Sequence, residues 1–145
     1  MPAPDTTSLA EALRPAVLRL ARHLRREAQR VGISEVDWQL LSIIYRRPGI
    51  GVSELADMEM IRRPTMSAHV KRLEAAGWIE RQPSACGDQR RVGLALTAAG
   101  RAALASIRDS RTGWLRDRLA ALDPDARDAI AAALPAIAAL VEVQP

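Results

Sequence analysis

Hydrophobic positions recur at helical spacing along most of the chain and give way to alternation only once. In residues 8–31, Leu9, Leu13, Val17, Leu20, Leu24, Ala28 and Val31 return every three or four residues. That spacing predicts a long amphipathic helix, with Gly32 as its stop. Residues 35–46 (EVDWQLLSIIYR) are more apolar and predict a second, more buried helix. Trp38, Leu41 and Tyr45 would share one side of it, Ser34 would cap it, and Pro48-Gly49 would end it. Val52–Met58 predicts a short third helix with Leu55 and Ala56 facing inward. After a turn over 59–63, Pro64 suits the first turn of a fourth helix, which Gly77 closes. Trp78–Arg81 and Val92–Leu96 then predict two short strands, with Val92, Leu94 and Leu96 alternating with Gly93 and Ala95. Thr97 is the expected N-cap of a fifth helix over about 98–121. Asp123-Pro124 opens a sixth, striped by Ile130, Leu134, Ile137, Leu140 and Val141. Pro135 inside it is expected to kink or break it. The fold class is mainly α with a small β hairpin.

The fourth helix separates its residues sharply. On a 100° wheel Met66, Val70 and Leu73 cluster and must face the core. The opposite arc carries Pro64, Ser67, Ala68, Lys71 and Arg72, with Thr65 at its edge. Short residues near the N-terminal end let a helix sit deep in a DNA major groove, while Arg63, Lys71 and Arg72 would reach flanking phosphates. The free N–H groups of the first turn also favour phosphate. The polar loop between the strands adds a second candidate contact. Asp88 and Arg90 stand two apart, so on a hairpin they share a face, and the carboxylate can aim the guanidinium into a narrow minor groove. Arg91 points the other way, toward backbone phosphate. The bland alternative is a solvated helix followed by an exposed ion pair.

Composition sharpens this picture. The 145 residues suit one domain with helical extensions; 48% are hydrophobic and 26% charged, as in a soluble globular protein. The net charge of +4 favours a polyanion partner mildly, but Arg62, Arg63, Lys71, Arg72, Arg81, Arg90 and Arg91 all fall in the middle third. No run of about 18 apolar residues exists to span a membrane. The N-terminal MPAPDTTSLAEAL lacks a basic segment followed by an apolar one, so a cytoplasmic location is expected. Cys86 is the only cysteine, which excludes an intrachain disulfide.

The stretch SELADMEMIRRPTMSAHVKRLEAAGWIERQPSACGDQRRVGLALTAAG closely resembles the winged-helix core of the MarR family of bacterial transcriptional regulators. The resemblance rests on Glu54, Leu55 and Ala56 of the third helix and on Leu73, Glu74, Gly77, Trp78, Ile79 and Arg81. It is completed by the wing pair Asp88 and Arg90 and by Leu96, Thr97 and Gly100. It implies a winged helix-turn-helix over 35–97 and a helical dimerisation region from both termini, 1–34 and 98–145. It implies a homodimer on a pseudo-palindromic operator, most often as a repressor. The apolar stripes of the first, fifth and sixth helices agree, since they exceed what the short elements can cover. Implied DNA contacts are Arg63, Pro64, Thr65, Ser67, Ala68, Lys71, Arg72, Asp88, Arg90 and Arg91. Gln89 departs from the second wing arginine of many relatives, and Arg91 stands just beyond.

Family members often bind small aromatic or phenolic effectors between the dimerisation helices and the DNA-binding lobe. His23, Trp38, Tyr45 and Trp114 are the candidates here, against the plain alternative that aromatic residues at helical spacing belong to the core. Cys86, beside Arg90 and Arg91, carries an alternative reading as an oxidant sensor. An enzyme fails on inventory: two histidines, one cysteine, no phosphate loop, no HExxH and no CxxC pair. No metal or cofactor is expected. The remaining rival is a winged-helix protein–protein adaptor that ignores DNA, which would lack a steep salt dependence of duplex affinity.

Overall fold

The computed structural model describes residues 5–83 and 92–142. By internal contacts the chain divides into two units, Met1–Arg111 and Thr112–Pro145. In the first unit, α1 (Thr6–Arg30) starts at Asp5, whose carboxylate accepts from the Ser8 N–H (3.4 Å). It buries only Glu27 and Ala28, leaving Leu9, Val17, Leu18 and Leu20 exposed. α2 (Glu35–Arg46) is capped by Ser34, whose hydroxyl oxygen accepts from the Asp37 N–H at 3.1 Å. Its buried face is Asp37, Leu40, Leu41 and Ile44, the i, i+3, i+4, i+7 set of one helix side, together with Ile43. Tyr45 lies 100° beyond Ile44 and is 60% exposed, so the expected Trp38–Leu41–Tyr45 side is not the buried one.

α3 (Val52–Met58) buries Leu55 and Ala56 as expected, and α4 (Arg63–Ala75) buries Met66, Val70 and Leu73 completely. These side chains join Leu40, Leu41, Ile44, Ile50, Ile79, Leu94 and Leu96 in one aliphatic core. β1 (Ile79–Pro83) pairs antiparallel with β2 (Val92–Leu96), from Ile79 opposite Leu96 to Pro83 opposite Val92. A bridge between Ile50 and Leu94 adds a third backbone segment, held by Gly49 N–H to Leu94 O and Leu94 N–H to Ile50 O, both 2.8 Å. β2 is also covered on both faces, so its burial does not alternate. Gly93, Leu94, Ala95 and Leu96 are all buried, and Val92 is exposed, contrary to the period-2 expectation. Strands covered on both faces read as continuous apolar runs.

Thr97 fastens the next helix, α5 (Ala98–Ala120), to the base of the hairpin. Its hydroxyl donates to Gly77 O (2.5 Å), its oxygen accepts from Gly100 N–H (3.0 Å), and its own N–H donates to Trp78 O (3.1 Å). A Cβ at Gly100 would lie 2.0 Å from the Trp78 carbonyl oxygen, so only glycine lets the helix come this close. A second, smaller cluster of Ala28, Ile33 and Ile107, flanked by Trp38 and Trp78, joins α1, α2 and α5.

The second unit holds the end of α5 and α6 (Pro124–Glu142). Asp123 caps α6 by accepting from the Ala126 N–H at 2.8 Å. Of the expected kink or break at Pro135 the break does not occur: the helix runs on through it, and α1 likewise continues through Pro15. One missing N–H does not end a helix whose other turns remain bonded. α6 buries none of its residues. Ile130, Leu134, Ile137, Leu140 and Val141 are all exposed.

Candidate nucleic-acid interface

The surface opposite the buried side of α4 is built by helix periodicity. With Met66, Val70 and Leu73 pinned in the core, Arg63, Pro64, Thr65, Ala68 and Lys71 are exposed and Ser67 is half-buried. Arg62 is the N-cap and supplies no side-chain hydrogen bond to the first turn. The first-turn N–H groups of Arg63 and Thr65 therefore face outward with the positive end of the helix dipole. Among the described residues no carboxylate lies within ion-pair distance of Arg62 or Lys71, while Arg63 has Asp57 at 4.0 Å, both largely exposed. An exposed pair at that distance is worth little and leaves the guanidinium free to exchange partners.

Arg72 is different. Its guanidinium donates to the buried carboxylate of Asp37 on α2 and lies 3.1 Å from His69 Nδ1. The sequence assigns Arg72 to phosphate, and the structure gives its half-exposed guanidinium a partner inside the lobe. The pair is lopsided: the Asp37 side chain is 11% exposed and that of Arg72 53%. The buried partner is the one that needs the bond, since an unpaired buried carboxylate is costly. Arg72 thus braces the second half of α4 against the start of α2. Arg81 on β1 does the same from the other side, with Nε 2.8 Å from Glu74 Oε1 and Nη2 3.3 Å from Glu74 Oε2. Residues 63–72 therefore sit on a helix fixed by its core contacts and by two arginine–carboxylate pairs.

α3 is held in turn to α2. Gln39 Nε2 donates to Glu59 Oε2 (2.5 Å), and Arg47 reaches both Glu54 Oε1 (3.6 Å) and the Met58 sulfur (3.4 Å). Sequence reasoning missed these ties and the Asp37–Arg72 pair, because a partner 35 residues away leaves no local pattern. The wing residues Asp88, Arg90 and Arg91, together with Cys86 and Gln89, lie outside the described residues.

Of the effector candidates, Trp38 is half-buried with the Arg111 guanidinium 4.1 Å from its ring centroid. Arg111 also donates to Leu24 O (3.1 Å) and faces Glu35 Oε2 (3.4 Å). Beside it, buried Glu27 takes a hydrogen bond from the Ser110 hydroxyl (3.3 Å) and an ion pair from Arg30 (3.0 Å). Tyr45 stands two turns away on α2, about 10 Å along the axis. His23 is exposed on α1, and Trp114, under the Arg118 guanidinium at 4.6 Å, belongs to the second unit.

The helix–turn–helix, the hairpin and the long flanking helices are shared with known proteins. Residues 33–92 match the model of the MarR family. An uncharacterized HTH-type transcriptional regulator of Mycobacterium leprae is 30% identical over 137 residues, which span 94% of this chain and 95% of the relative. The chain belongs to the MarR family. A transcriptional regulator protein from Pseudomonas aeruginosa has the same fold, with a TM-score of 0.80 at 34% identity, covering 99% of this chain and 100% of that one. A mutant of Staphylococcus aureus MepR, bound to an oligodeoxyribonucleotide, shares the fold alone at 17% identity, with a TM-score of 0.71 over 92% of this chain and 97% of that one. This MarR-family chain is a transcriptional regulator with a winged-helix fold. Among its described residues no helix is long and apolar enough to cross a membrane.

Proposed function

We propose that this MarR-family regulator binds double-stranded DNA sequence-specifically, as a cytoplasmic homodimer, and represses transcription from a pseudo-palindromic operator. It has no catalytic role in this reading. The observation that carries it is the outer face of α4: Thr65, Ser67 and Ala68 small enough for close approach to base edges, with Arg63 and Lys71 placed for phosphates. The MepR mutant bound to an oligodeoxyribonucleotide supports it by fold. In this reading residues 35–97 form the DNA-binding lobe, and the wing adds Arg90, aimed by Asp88, to the minor groove, with Arg91 on the backbone. Residues 1–34 and 98–145 form the dimerisation region, a role supported by the uncovered apolar side chains of α1 and α6. Two-fold symmetry then sets the two α4 helices one DNA turn apart, roughly 34 Å. An aromatic or phenolic effector acts near Trp38, where Arg111 would meet an anionic ring substituent.

The test is duplex binding across a salt series, with a sequence selected from random DNA and a scrambled control. Preference for the selected sequence and a steep fall of affinity with salt are the expected result. Equal, salt-insensitive affinities for both would leave a protein–protein adaptor as the better description.

A further inference from the structure

The end of α3 breaks a rule the chain obeys elsewhere. α3 and α4 close with the same hydrogen-bond motif. At α4, Trp78 N–H donates to Leu73 O (3.1 Å) and Gly77 N–H to Glu74 O (2.9 Å). At α3, Ile61 N–H donates to Ala56 O (3.0 Å) and Met60 N–H to Asp57 O (3.3 Å). This motif puts its central residue in the left-handed region. Gly77 sits there with φ +75°, and Gly32, at the end of α1, with φ +80°. The corresponding residue of α3 is Met60, at φ +52° and the only described non-glycine residue with a positive φ. Space does not explain the difference, because a Cβ at Gly77 would meet nothing within 4 Å. A side chain is merely disfavoured in this conformation, and glycine relieves the strain.

Among the described residues the Met60 side chain gains almost no packing in return for that strain. It is 93% exposed, the most exposed of the large hydrophobic residues described. It stands in the turn of the helix–turn–helix, followed within three residues by exposed Arg62 and Arg63 and the uncapped N-terminus of α4. Strained residues of this kind cluster at sites of binding and switching. Asp57 and Glu59 precede this apolar side chain, and the two arginines that follow it lead into the outer face of α4, the face proposed to meet a duplex whose surface also offers apolar atoms. A duplex offers such atoms in its deoxyribose rings and thymine methyl groups.

We propose that Met60 is a DNA-contact residue, its flexible thioether lying against deoxyribose or a thymine methyl at the edge of the groove that α4 enters. The proposal rests on the DNA-binding reading above. Met60→Gly, Met60→Leu and the unaltered protein are compared by thermal melting and by affinity for the selected duplex. Met60→Gly keeps or raises the melting temperature and weakens binding by about threefold to tenfold, as expected for losing part of one buried apolar side chain. Met60→Leu retains most of the affinity. The salt slope stays the same, because no charge is removed.

A second duplex with uracil for thymine separates the two sources. If only the unaltered protein loses affinity on it, the methyl is the partner. If the Met60→Gly deficit persists unchanged, deoxyribose is. Met60→Gly binding as tightly as the unaltered protein overturns the Met60 proposal and leaves the DNA-binding reading standing. If the unaltered protein binds no duplex, both fall.

Discussion

Lys71 and Arg72 are adjacent in sequence and differ in what removing them should change. Lys71 is exposed, with no carboxylate in reach among the described residues. Lys71→Ala should leave the melting temperature within about 1 °C of the parent, since surface substitutions are usually near-neutral. It should weaken binding to all duplexes alike and reduce the salt slope by about 1. Arg72 holds the buried Asp37 carboxylate, so Arg72→Ala should destabilise the fold by about 1–3 kcal/mol and leave the salt slope as it was. Urea unfolding and a salt titration on both variants check the contrast. A salt slope that falls in the Arg72 variant would return that residue to the phosphate contacts. Gly100 is a third single-residue case. Its Cβ would lie 2.0 Å from the Trp78 carbonyl oxygen, so Gly100→Ala must push α5 off the hairpin. Overpacking of that kind costs about 2–3 kcal/mol, readable as a drop in the denaturation midpoint.

At the scale of elements, the helices were legible because each buries one face and so repeats near 3.6 residues. Ser34, Asp123, Gly32 and Gly77 marked ends because caps obey local chemistry. Where an element meets neighbours on more than one side, the local pattern misled. β2 was read as alternating, yet the Ile50 bridge and the packing around it bury four successive residues. The pattern sets Trp38, Leu41 and Tyr45 on one side of α2, but only Leu41 of the three is buried, because which arc is covered depends on where α4 and β2 lie. Of the interface, the outer face of α4 was readable from the wheel. The Asp37–Arg72 brace and the Met60 conformation were not, since both depend on contacts or dihedrals that composition does not encode. The α6 stripe yields its own expectation. Leu134→Asp or Ile137→Asp places a charge on the surface proposed to pair subunits, and should weaken association by on the order of 2 kcal/mol or more. Sedimentation velocity across a dilution series reads this directly. An unchanged dimer would exclude that stripe from the interface.

At the scale of the whole molecule, the core that positions α4 is built without phenylalanine, from leucine, isoleucine, valine and one methionine. Its largest fully buried side chains are aliphatic or Met66, and the one aromatic residue packed against it, Trp78, is only half-buried at its edge. Trp38 and Trp78 flank the small cluster of Ala28, Ile33 and Ile107 in the first unit, whereas Trp114 sits in the second. The chain thereby carries an intrinsic optical label on each part. Trp114→Phe should leave an emission signal that reports only the lobe and its α1–α2–α5 junction. Trp38→Phe combined with Trp78→Phe should leave one that follows the terminal helices alone. If the two variants' signals change at different denaturant concentrations, their tryptophan emission will give the unfolding order without any dye. A single shared midpoint would mean that the terminal helices and the lobe come apart as one cooperative body.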